Sequence, residues 1–321
     1  MRRMLAAVAG LIMAGVMPGA AADWPTKPVT LIIPFAPGGA TDGMGRILAQ
    51  ELSTALGQQV IVENHPGAAG TVGLTTLMKA PGDGYTLAFT PMVPSIENAV
   101  IDNPPYKLTE DFSSVAQVLY VPVALFANAK EPFNNLSELV EEAKKNPGKL
   151  NAYSVGVGSH SHFTLEQFMK LEGVDIEHIP YEGGAPAVAA LVAGEVDMGF
   201  DAFSIPQKFV ATGELKALGV ASEKRVPFAP NVPTFAEQGV PNFLVSAWYG
   251  IYGPKGLPGD VSTRIYTELQ KIMVKPEIAK KLDTLAMVAE LGDAAVMKKR
   301  LETEISGFRR TAQEAGIEFR K

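Results

Sequence analysis

The chain has 321 residues, 47% hydrophobic and 19% charged, which is enough to bury a large core in about two domains. Its formal net charge is −6 and its Lys and Arg residues are not clustered, which argues against a nucleic-acid surface. The sequence has no cysteine, which excludes disulfides, thiolate nucleophiles and cysteine-ligated metal sites.

The first 22 residues have the pattern of a cleaved signal peptide. Arg2 and Arg3 form a positively charged start, residues 5–16 are apolar, and three alanines precede Asp23. The apolar run is shorter than the roughly 20 residues that span a bilayer, which favours cleavage over a membrane anchor. We therefore expect an exported, periplasmic protein whose mature chain begins at residue 23.

The rest of the chain alternates short β-branched runs with segments of helical periodicity, the pattern of an α/β protein with mostly parallel strands. Asn135 and Glu138 resemble a capping box, which predicts a helix that ends at the Asn-Pro-Gly of residues 146–148. Apolar spacing predicts further helices at residues 47–56 and 301–312. Strands are predicted at residues 29–33, 60–63, 86–89, 150–154, 176–179, 198–201 and 216–220.

Glycine-rich loops follow four of these strands, at residues 34–42, 64–71, 155–162 and 180–185. Ligands of open α/β sheets bind beyond the carboxyl ends of the strands, and the free N–H groups of a helix start suit an anion. Alone, the loop of residues 34–42 could equally be a tight turn between a strand and a helix, with Thr41 or Asp42 as the N-cap of the helix. Four at equivalent places predict a polar cleft lined by backbone amides.

The loops carry no phosphate-binding motif, because Gly38-Gly39 lacks a third spaced glycine and no Gly-Lys-Ser or Gly-Lys-Thr occurs. We expect no cofactor. His160 and His162 could be two metal ligands, but a third is needed, so loop capping is the preferred interpretation and no metal is expected.

Some of the same residues could also serve catalysis. Asp42 and Asp201 could form a glycosidase-like carboxylate pair, and Ser159 with a nearby histidine could be part of a triad. No Gly-x-Ser-x-Gly elbow is present, and carboxylates that cap helices or bind loop amides are the plainer interpretation. No enzyme is expected.

Motifs along almost the whole mature chain resemble those of Bug-type substrate-binding proteins of tripartite tricarboxylate transporters. They include Pro34-Phe35-Ala36-Pro37-Gly38-Gly39 with Asp42, Gly67-Ala68-Ala69-Gly70-Thr71, Pro81-Gly82-Asp83-Gly84-Tyr85, His178-Ile179-Pro180-Tyr181 with Gly183-Gly184-Ala185, Gly194-Glu195-Val196-Asp197 and Trp248-Tyr249-Gly250. Each motif alone is weak, but their shared order is specific.

The resemblance implies a two-lobed, type II-like flytrap, each lobe a mostly parallel sheet flanked by helices. Lobe 1 would comprise residues 23–122 and 248–321, lobe 2 residues 123–247, with the ligand cleft between them. It also implies a monomeric periplasmic receptor that binds a small organic carboxylate and delivers it to integral-membrane transporter subunits. The matching ligand-binding positions are Phe35, Ala36, Gly38, Gly39, Asp42, Asp201 and Ala202, with Gly158, Ser159, His160, His162, Thr90 and Tyr181 as partners.

Glu182 departs from the resemblance, because many relatives have a basic residue there. If Glu182 faces the cleft it would disfavour a second ligand carboxylate; the alternative is that it points to solvent. A protonated His160 could contact a distal anion, which would make affinity rise as pH falls. Two alternative functions remain open: a receptor that presents its ligand to a sensor kinase, and a secreted hydrolase using Asp42 and Asp201.

Overall fold

The structure is a computed structural model that describes residues 24–241 and 243–317. The predicted signal peptide, residues 1–22, lies outside the described residues. The strands are β1 (Val29–Ile33), β2 (Val60–Asn64), β3 (Thr86–Pro91), β4 (Phe112–Asn128), β5 (Asn151–Ser154), β6 (Glu177–Pro180), β7 (Met198–Ala202), β8 (Leu215–Val220), β9 (Ser246–Pro254) and β10 (Val288–Gly292). The helices are α1 (Ala40–Leu56), α2 (Thr71–Met78), α3 (Val93–Val100), α4 (Leu136–Lys145), α5 (His160–Glu172), α6 (Gly184–Ala193), α7 (Gln207–Ala211), α8 (Gly259–Ile272), α9 (Pro276–Thr284) and α10 (Ala294–Glu314).

The seven strands and three helices predicted from periodicity are all present. The strand ends differ from the predicted ones by two residues at most, whereas α1 and α10 each begin seven residues earlier than predicted. The capping box is confirmed: the Asn135 side chain accepts a hydrogen bond from the Glu138 backbone N–H at 2.9 Å. The sequence pattern did not reveal β4, β9 or β10. Among the helices described between residues 24 and 317, none has the length and apolar character needed to cross a membrane.

The strands form one sheet in the order β2-β1-β3-β9-β4-β7-β5-β6, with β10 and β8 also paired to β4. The outer strands are parallel: β1 pairs in this way with β2 and β3, and β5 with β6 and β7. The long central strands β4 and β9 are antiparallel to their neighbours. The described part of the chain is therefore a mixed α/β fold with a parallel sheet region on either side of two central strands.

β4 belongs to both parallel regions. Its residues 112–122 pair with β9, whereas its residues 123–128 pair with β7 and, in part, with β8. The division into two lobes stays a prediction, and this change of partners between Pro122 and Val123 supports it.

Helices cover both faces of the sheet and form a core on each. The side chains of β1 alternate between these two cores. Val29, Leu31 and Ile33 are buried in a core with α1, α8 and α9. Ile32 is buried on the other face in a core with α2, α3 and α10. The strands of the second region are covered likewise, by α4 and α5 on one face and by α6 on the other. A strand buried on both faces is apolar along its whole length, which explains the continuous Val-Thr-Leu-Ile-Ile run.

Candidate ligand-binding site

The carboxyl ends of strands from both parallel regions converge on the middle of β4. At the end of β3, Pro91 pairs with Tyr249 of β9, and Tyr249 pairs with Leu119 of β4. At the end of β7, Ala202 pairs with Val123 of β4. Four residues of an extended strand span roughly 13 Å. The loops after β1, β3, β5 and β7 therefore lead into a common region, as expected for a cleft.

Asp42 holds the loop after β1 in shape. Its Oδ2 accepts hydrogen bonds from the Gly38 N–H at 2.9 Å and from Arg46 Nε at 3.0 Å, and its Oδ1 accepts one from Asn64 Nδ2 at 2.9 Å. These bonds, above all the one from Arg46, lower the pKa of the buried Asp42 carboxyl to about 2. Three protein donors already occupy this carboxylate, which suits a positioning role.

The backbone of the same loop is accessible. Ala36, Gly38 and Gly39 are exposed, and Phe35 is half-buried against the core beneath α1. Gly38 has a φ of +87°, a conformation that glycine adopts without steric cost. Gly39 is the N-cap of α1 and provides no side-chain hydrogen bond, so the first N–H groups of a 17-residue helix lack a side-chain acceptor. Such a helix start favours an anion.

Tyr249 is a residue of this region that sequence reasoning did not place in the site. Its hydroxyl is hydrogen-bonded to the Thr41 side chain in the first turn of α1, and burial raises its pKa. Its ring stacks on Phe89, with centroids 5.5 Å apart. The available signal was the Trp248-Tyr249-Gly250 motif, which was connected only with the resemblance and with the predicted lobe boundary at residues 247 and 248. Nearby, the predicted ligand residue Thr90 is fully buried, and its Oγ1 donates to the Pro91 carbonyl at 3.2 Å.

The loop after β5 is held by side chains at the start of α5. Ser159 caps the helix by accepting a hydrogen bond from the His162 N–H at 3.3 Å. His162 Nδ1 accepts one from the Gly158 N–H at 3.0 Å, and Gly158 has a φ of +72°. His162 therefore fixes the loop from within: it is only 5% exposed.

His162 is also stacked on His178 of β6, with ring centroids 3.8 Å apart and an interplanar angle of 11°. Burial, followed by the neighbouring His162, lowers the pKa of His178 to about 4, and its Nε2 lies 2.6 Å from Ser154 Oγ. Throughout residues 24–241 and 243–317, no group of three or more His, Asp or Glu side chains that could hold a metal ion is found. Tyr181, which follows β6, is half-buried, and its N–H donates to the Ser154 carbonyl at 2.9 Å.

His160 faces away from the loop backbone, towards α10. Its ring packs edge-on against Phe308 with centroids 6.4 Å apart, and it lines a cavity of about 230 Å³ together with Arg300 and Arg310. Burial, then the charge of Arg300, lowers the pKa of His160 to about 4. The ring is therefore neutral between pH 5.5 and pH 8, which disfavours the hypothesis of a protonated contact to a distal anion.

Asp201 and Ala202 end β7. Asp201 Oδ1 accepts a hydrogen bond from the Ala202 N–H at 2.7 Å, and its Oδ2 accepts one from the Tyr153 hydroxyl at 3.3 Å. Burial outweighs these two bonds and raises the Asp201 pKa to about 6. Ala202 is half-buried and packs against the same core as Val121 and Tyr249, so it lies where the two parallel regions meet.

Residues 44–316 match the family model described as "Tripartite tricarboxylate transporter family receptor". The chain belongs to this family. The match covers β2 to β10 and the loops after β3, β5, β6 and β7, whereas β1 and the loop of residues 34–42 precede it.

Three solved structures of this kind are similar to the chain. "Periplasmic binding protein BugD" is 32% identical, with a TM-score of 0.70, over 92% of this chain and 99% of that chain. "R. palustris Rpa4515 with adipate" is 30% identical, with a TM-score of 0.74, over 92% and 99%. "MatC (Rpa3494) from Rhodopseudomonas palustris with bound malate" is 30% identical, with a TM-score of 0.69, over 90% and 99%. The similarity to BugD supports the Bug-type resemblance, and all three confirm the fold.

The family membership and the geometry divide the sequence-predicted positions into two kinds. Some present backbone or a small side chain at a strand end: Phe35, Ala36, Gly38, Gly39, Gly158, Ser159, Tyr181 and Ala202. Others are bonded or packed within the protein: Asp42, Thr90, His160 and His162. Asp201 lies at a strand end and is also hydrogen-bonded within the protein. Contact of any of these residues with a ligand stays a prediction.

Proposed function

We propose that this protein is an extracytoplasmic solute receptor that binds a small organic carboxylate and delivers it to a tripartite tricarboxylate-type membrane transporter. The observation that carries the proposal is the similarity to two structures whose ligands, adipate and malate, are both small carboxylates. The family description, a transporter family receptor, supports delivery to membrane subunits. The receptor works by binding alone, without chemical change of the ligand.

The loops at the strand ends suit a carboxylate without needing a cation. Residues 34–39, 64–71, 155–159, 180–183 and 201–205 contain no Lys or Arg. They do contain two helix starts, at Gly39 and Gly183, whose N-caps form no side-chain hydrogen bond. Backbone N–H groups at such starts stabilise negative charge, and ordered water can bridge an imperfect fit.

We assign ligand contact to the accessible backbone of Phe35, Ala36, Gly38 and Gly39 on one side of the cleft. On the other side, the contacts come from Gly158, Ser159, Tyr181 and Ala202. Asp42 and His162 hold these two loops in the binding geometry. Closure of the two lobes over the ligand would be driven by contacts made only in the closed state.

The same proposal includes export and release as a monomer. The signal peptide pattern of residues 1–22 and the similarity to periplasmic BugD support a periplasmic location. A free monomer suits a receptor that must open, close and dock. Recovery of the protein from the cytoplasmic fraction and not from the periplasmic extract would contradict this location.

The experiment that tests the function is a thermal-shift screen of residues 23–321, unfolded and refolded to remove any carried-over ligand. The panel contains dicarboxylates, tricarboxylates, aromatic acids, amino acids, sugars and polyamines. A ligand at 100 times its Kd stabilises the folded state by about 2.7 kcal/mol, which raises Tm by a few degrees.

A carboxylate hit that is recovered unchanged supports the receptor. Hits among sugars or polyamines alone contradict it, and a consumed ligand would favour an enzyme. Ser159→Ala, which removes the cap of α5, is expected to weaken binding, while the matched variant Ser306→Ala, at an exposed position of α10, leaves it unchanged.

A further inference from the structure

Asp42 and Asp201 are two carboxylates beside the candidate site with opposite electrostatic surroundings. Asp42 is bonded by three donors, one of them the guanidinium of Arg46. Asp201 is bonded only by two neutral donors, the Ala202 N–H and the Tyr153 hydroxyl. Asp42 is consequently an internally neutralised anion, whereas Asp201 keeps its negative charge without a compensating cation.

The surroundings of Asp201 on the neighbouring elements are neutral or acidic. β5 contributes Tyr153, and the start of α6 contributes Gly184, where an added Cβ would lie 3.7 Å from Asp201 Oδ2. The same added Cβ would lie 3.2 Å from Ile205. The loop before α6 contains the half-buried Tyr181 and one charged residue, Glu182, which is exposed. Burial is the main influence on the Asp201 pKa and raises it to about 6, and no cation contributes.

The start of α6 is also a place where a ligand carboxylate would bind. Its N-cap, Gly183, has a φ of +107° and forms no side-chain hydrogen bond, so the helix start is open to an acceptor. A carboxylate there would lie next to Asp201 Oδ2. Two carboxylates that share a site cannot both be ionised, so one of them takes a proton.

We propose that Asp201 binds the ligand carboxylate through a shared proton, so that each ligand that binds takes up one proton from solution. This inference rests on the proposed function, because it requires a carboxylate ligand. The neutral Asp201 carboxyl donates its O–H to the ligand oxygen, and the Ala202 N–H and Tyr153 hydroxyl hold it in place. Asp201 is thus a specificity-determining residue that accepts a carboxylate only in its protonated form.

The first test needs no ligand. The carboxyl carbon of Asp201 is followed by NMR against pH, and its signal is assigned by its loss in Asp201→Asn. A midpoint near pH 6 in the free protein is expected because burial disfavours the charged form. A midpoint at or below pH 4 would overturn the proposal, since the proton could not be taken up near neutral pH.

The second test measures the proton itself by calorimetry with malate and with adipate at pH 7, in two buffers of different ionisation enthalpy. Uptake approaching one proton per ligand is expected for the unchanged protein and none for Asp201→Asn. Between pH 7 and pH 8 the Kd should rise up to tenfold in the unchanged protein and stay flat in Asp201→Asn.

Asp197→Asn is the matched control, because Asp197 lies just before β7 and accepts a hydrogen bond from the Asn151 N–H at 2.8 Å. It should keep the proton uptake. Binding of a carboxylate without proton uptake would overturn this inference and leave the proposed function standing. No binding of any carboxylate in the wider panel would remove the proposed function and this coupling with it.

Discussion

Phe163 of α5 packs against Phe308 of α10, with ring centroids 5.2 Å apart. α5 begins at the predicted ligand loop, and its buried Leu165 and Phe168 belong to the core around β7. Phe163 itself is fully buried in the core formed by α3, α10 and β9. One helix therefore joins the ligand loop of one parallel region to the core of the other, and the ion pair of Lys170 with Glu314 at 2.7 Å lies on the same two helices.

Replacing Phe163 by Ala should lower the free energy of unfolding by about 3–5 kcal/mol, because it removes a fully buried aromatic ring and leaves a cavity. Urea denaturation measures this loss. Val274→Ala is the control, since Val274 is 78% exposed and its truncation should change stability by less than about 0.5 kcal/mol. An equal, small effect of both substitutions would contradict the packing described for α5.

Asp42→Asn tests the positioning role of the first loop. The substitution removes the charged partner of Arg46 and weakens the bonds to Gly38 and Asn64, so unfolding should become easier by about 1–3 kcal/mol at pH 7. The folded-state pKa lies below the usual value, so the contribution of Asp42 is present above pH 4 and lost as pH falls towards 2.

The measurement is chemical denaturation of both proteins between pH 2 and pH 7, and their difference in stability should shrink at the acid end. Asp83→Asn is the control, because Asp83 lies in an exposed turn where its carboxylate accepts one hydrogen bond from the Tyr85 N–H. A stability difference for Asp42→Asn that is independent of pH would show that the charge of Asp42 contributes nothing.

The regular elements were predictable because local sequence determines them. The run of residues 29–33 is apolar on both faces, and Asn135 with Glu138 marks a helix start directly. β4 was missed for a physical reason: it spans 17 residues and serves both parallel regions, so its burial is almost continuous and shows no period. Only the pairing of β4 with distant strands shows that it connects the two regions.

The sequence predicts the position of the candidate site, but it does not determine the role of each residue in it. Glycine-rich loops after strands point to the carboxyl ends of the sheet, where ligand contact stays a prediction. The roles of His160 and His162 depend on the direction in which each ring points. The ring of His160 packs against Phe308 of α10, which lies about 140 residues later in the chain. Tyr249 was missed because its partner Thr41 lies about 200 residues earlier in the chain.

The half-buried His160 and His178 predict a stability that depends on pH. Folding lowers the pKa values of His160 and His178 to about 4, so between pH 4 and pH 6.5 the unfolded chain binds more protons at these sites. Stability contributed by these two rings is complete above pH 6.5 and is lost as pH falls towards 4. Asp201, whose pKa is raised, has the opposite effect between pH 3.8 and pH 6.

His178→Gln isolates one of these contributions. The slope of unfolding free energy against pH should decrease by up to about 1.4 kcal/mol per pH unit between pH 4.5 and pH 6. Denaturation at closely spaced pH values provides the slope. His65→Gln, which changes a partly exposed histidine beside Glu63, is the control. An unchanged slope in His178→Gln would mean that the ring is protonated as easily in the folded protein as in the unfolded chain.

Two glycine-to-alanine substitutions should change the free energy of unfolding in opposite directions. At Gly199 of β7 an added Cβ would lie 2.3 Å from the ring of Tyr153, which is fully buried and cannot move aside freely. Gly199→Ala should therefore destabilise the protein by about 1–3 kcal/mol and displace the Tyr153 hydroxyl from Asp201. At Gly307 of α10 an added Cβ meets nothing within 4 Å, so Gly307→Ala should stabilise the helix by about 0.5–1 kcal/mol.

Urea denaturation measures whether each variant is more or less stable than the unchanged protein. The NMR signal of the Asp201 carboxyl carbon reports the displacement of Tyr153. Loss of the Tyr153 hydrogen bond removes a donor that favours the charged carboxylate, so the Asp201 midpoint should move to higher pH in Gly199→Ala. Gly307→Ala should leave that midpoint unchanged. A destabilised Gly199→Ala with an unmoved Asp201 midpoint would show that the ring adjusts without giving up its hydrogen bond.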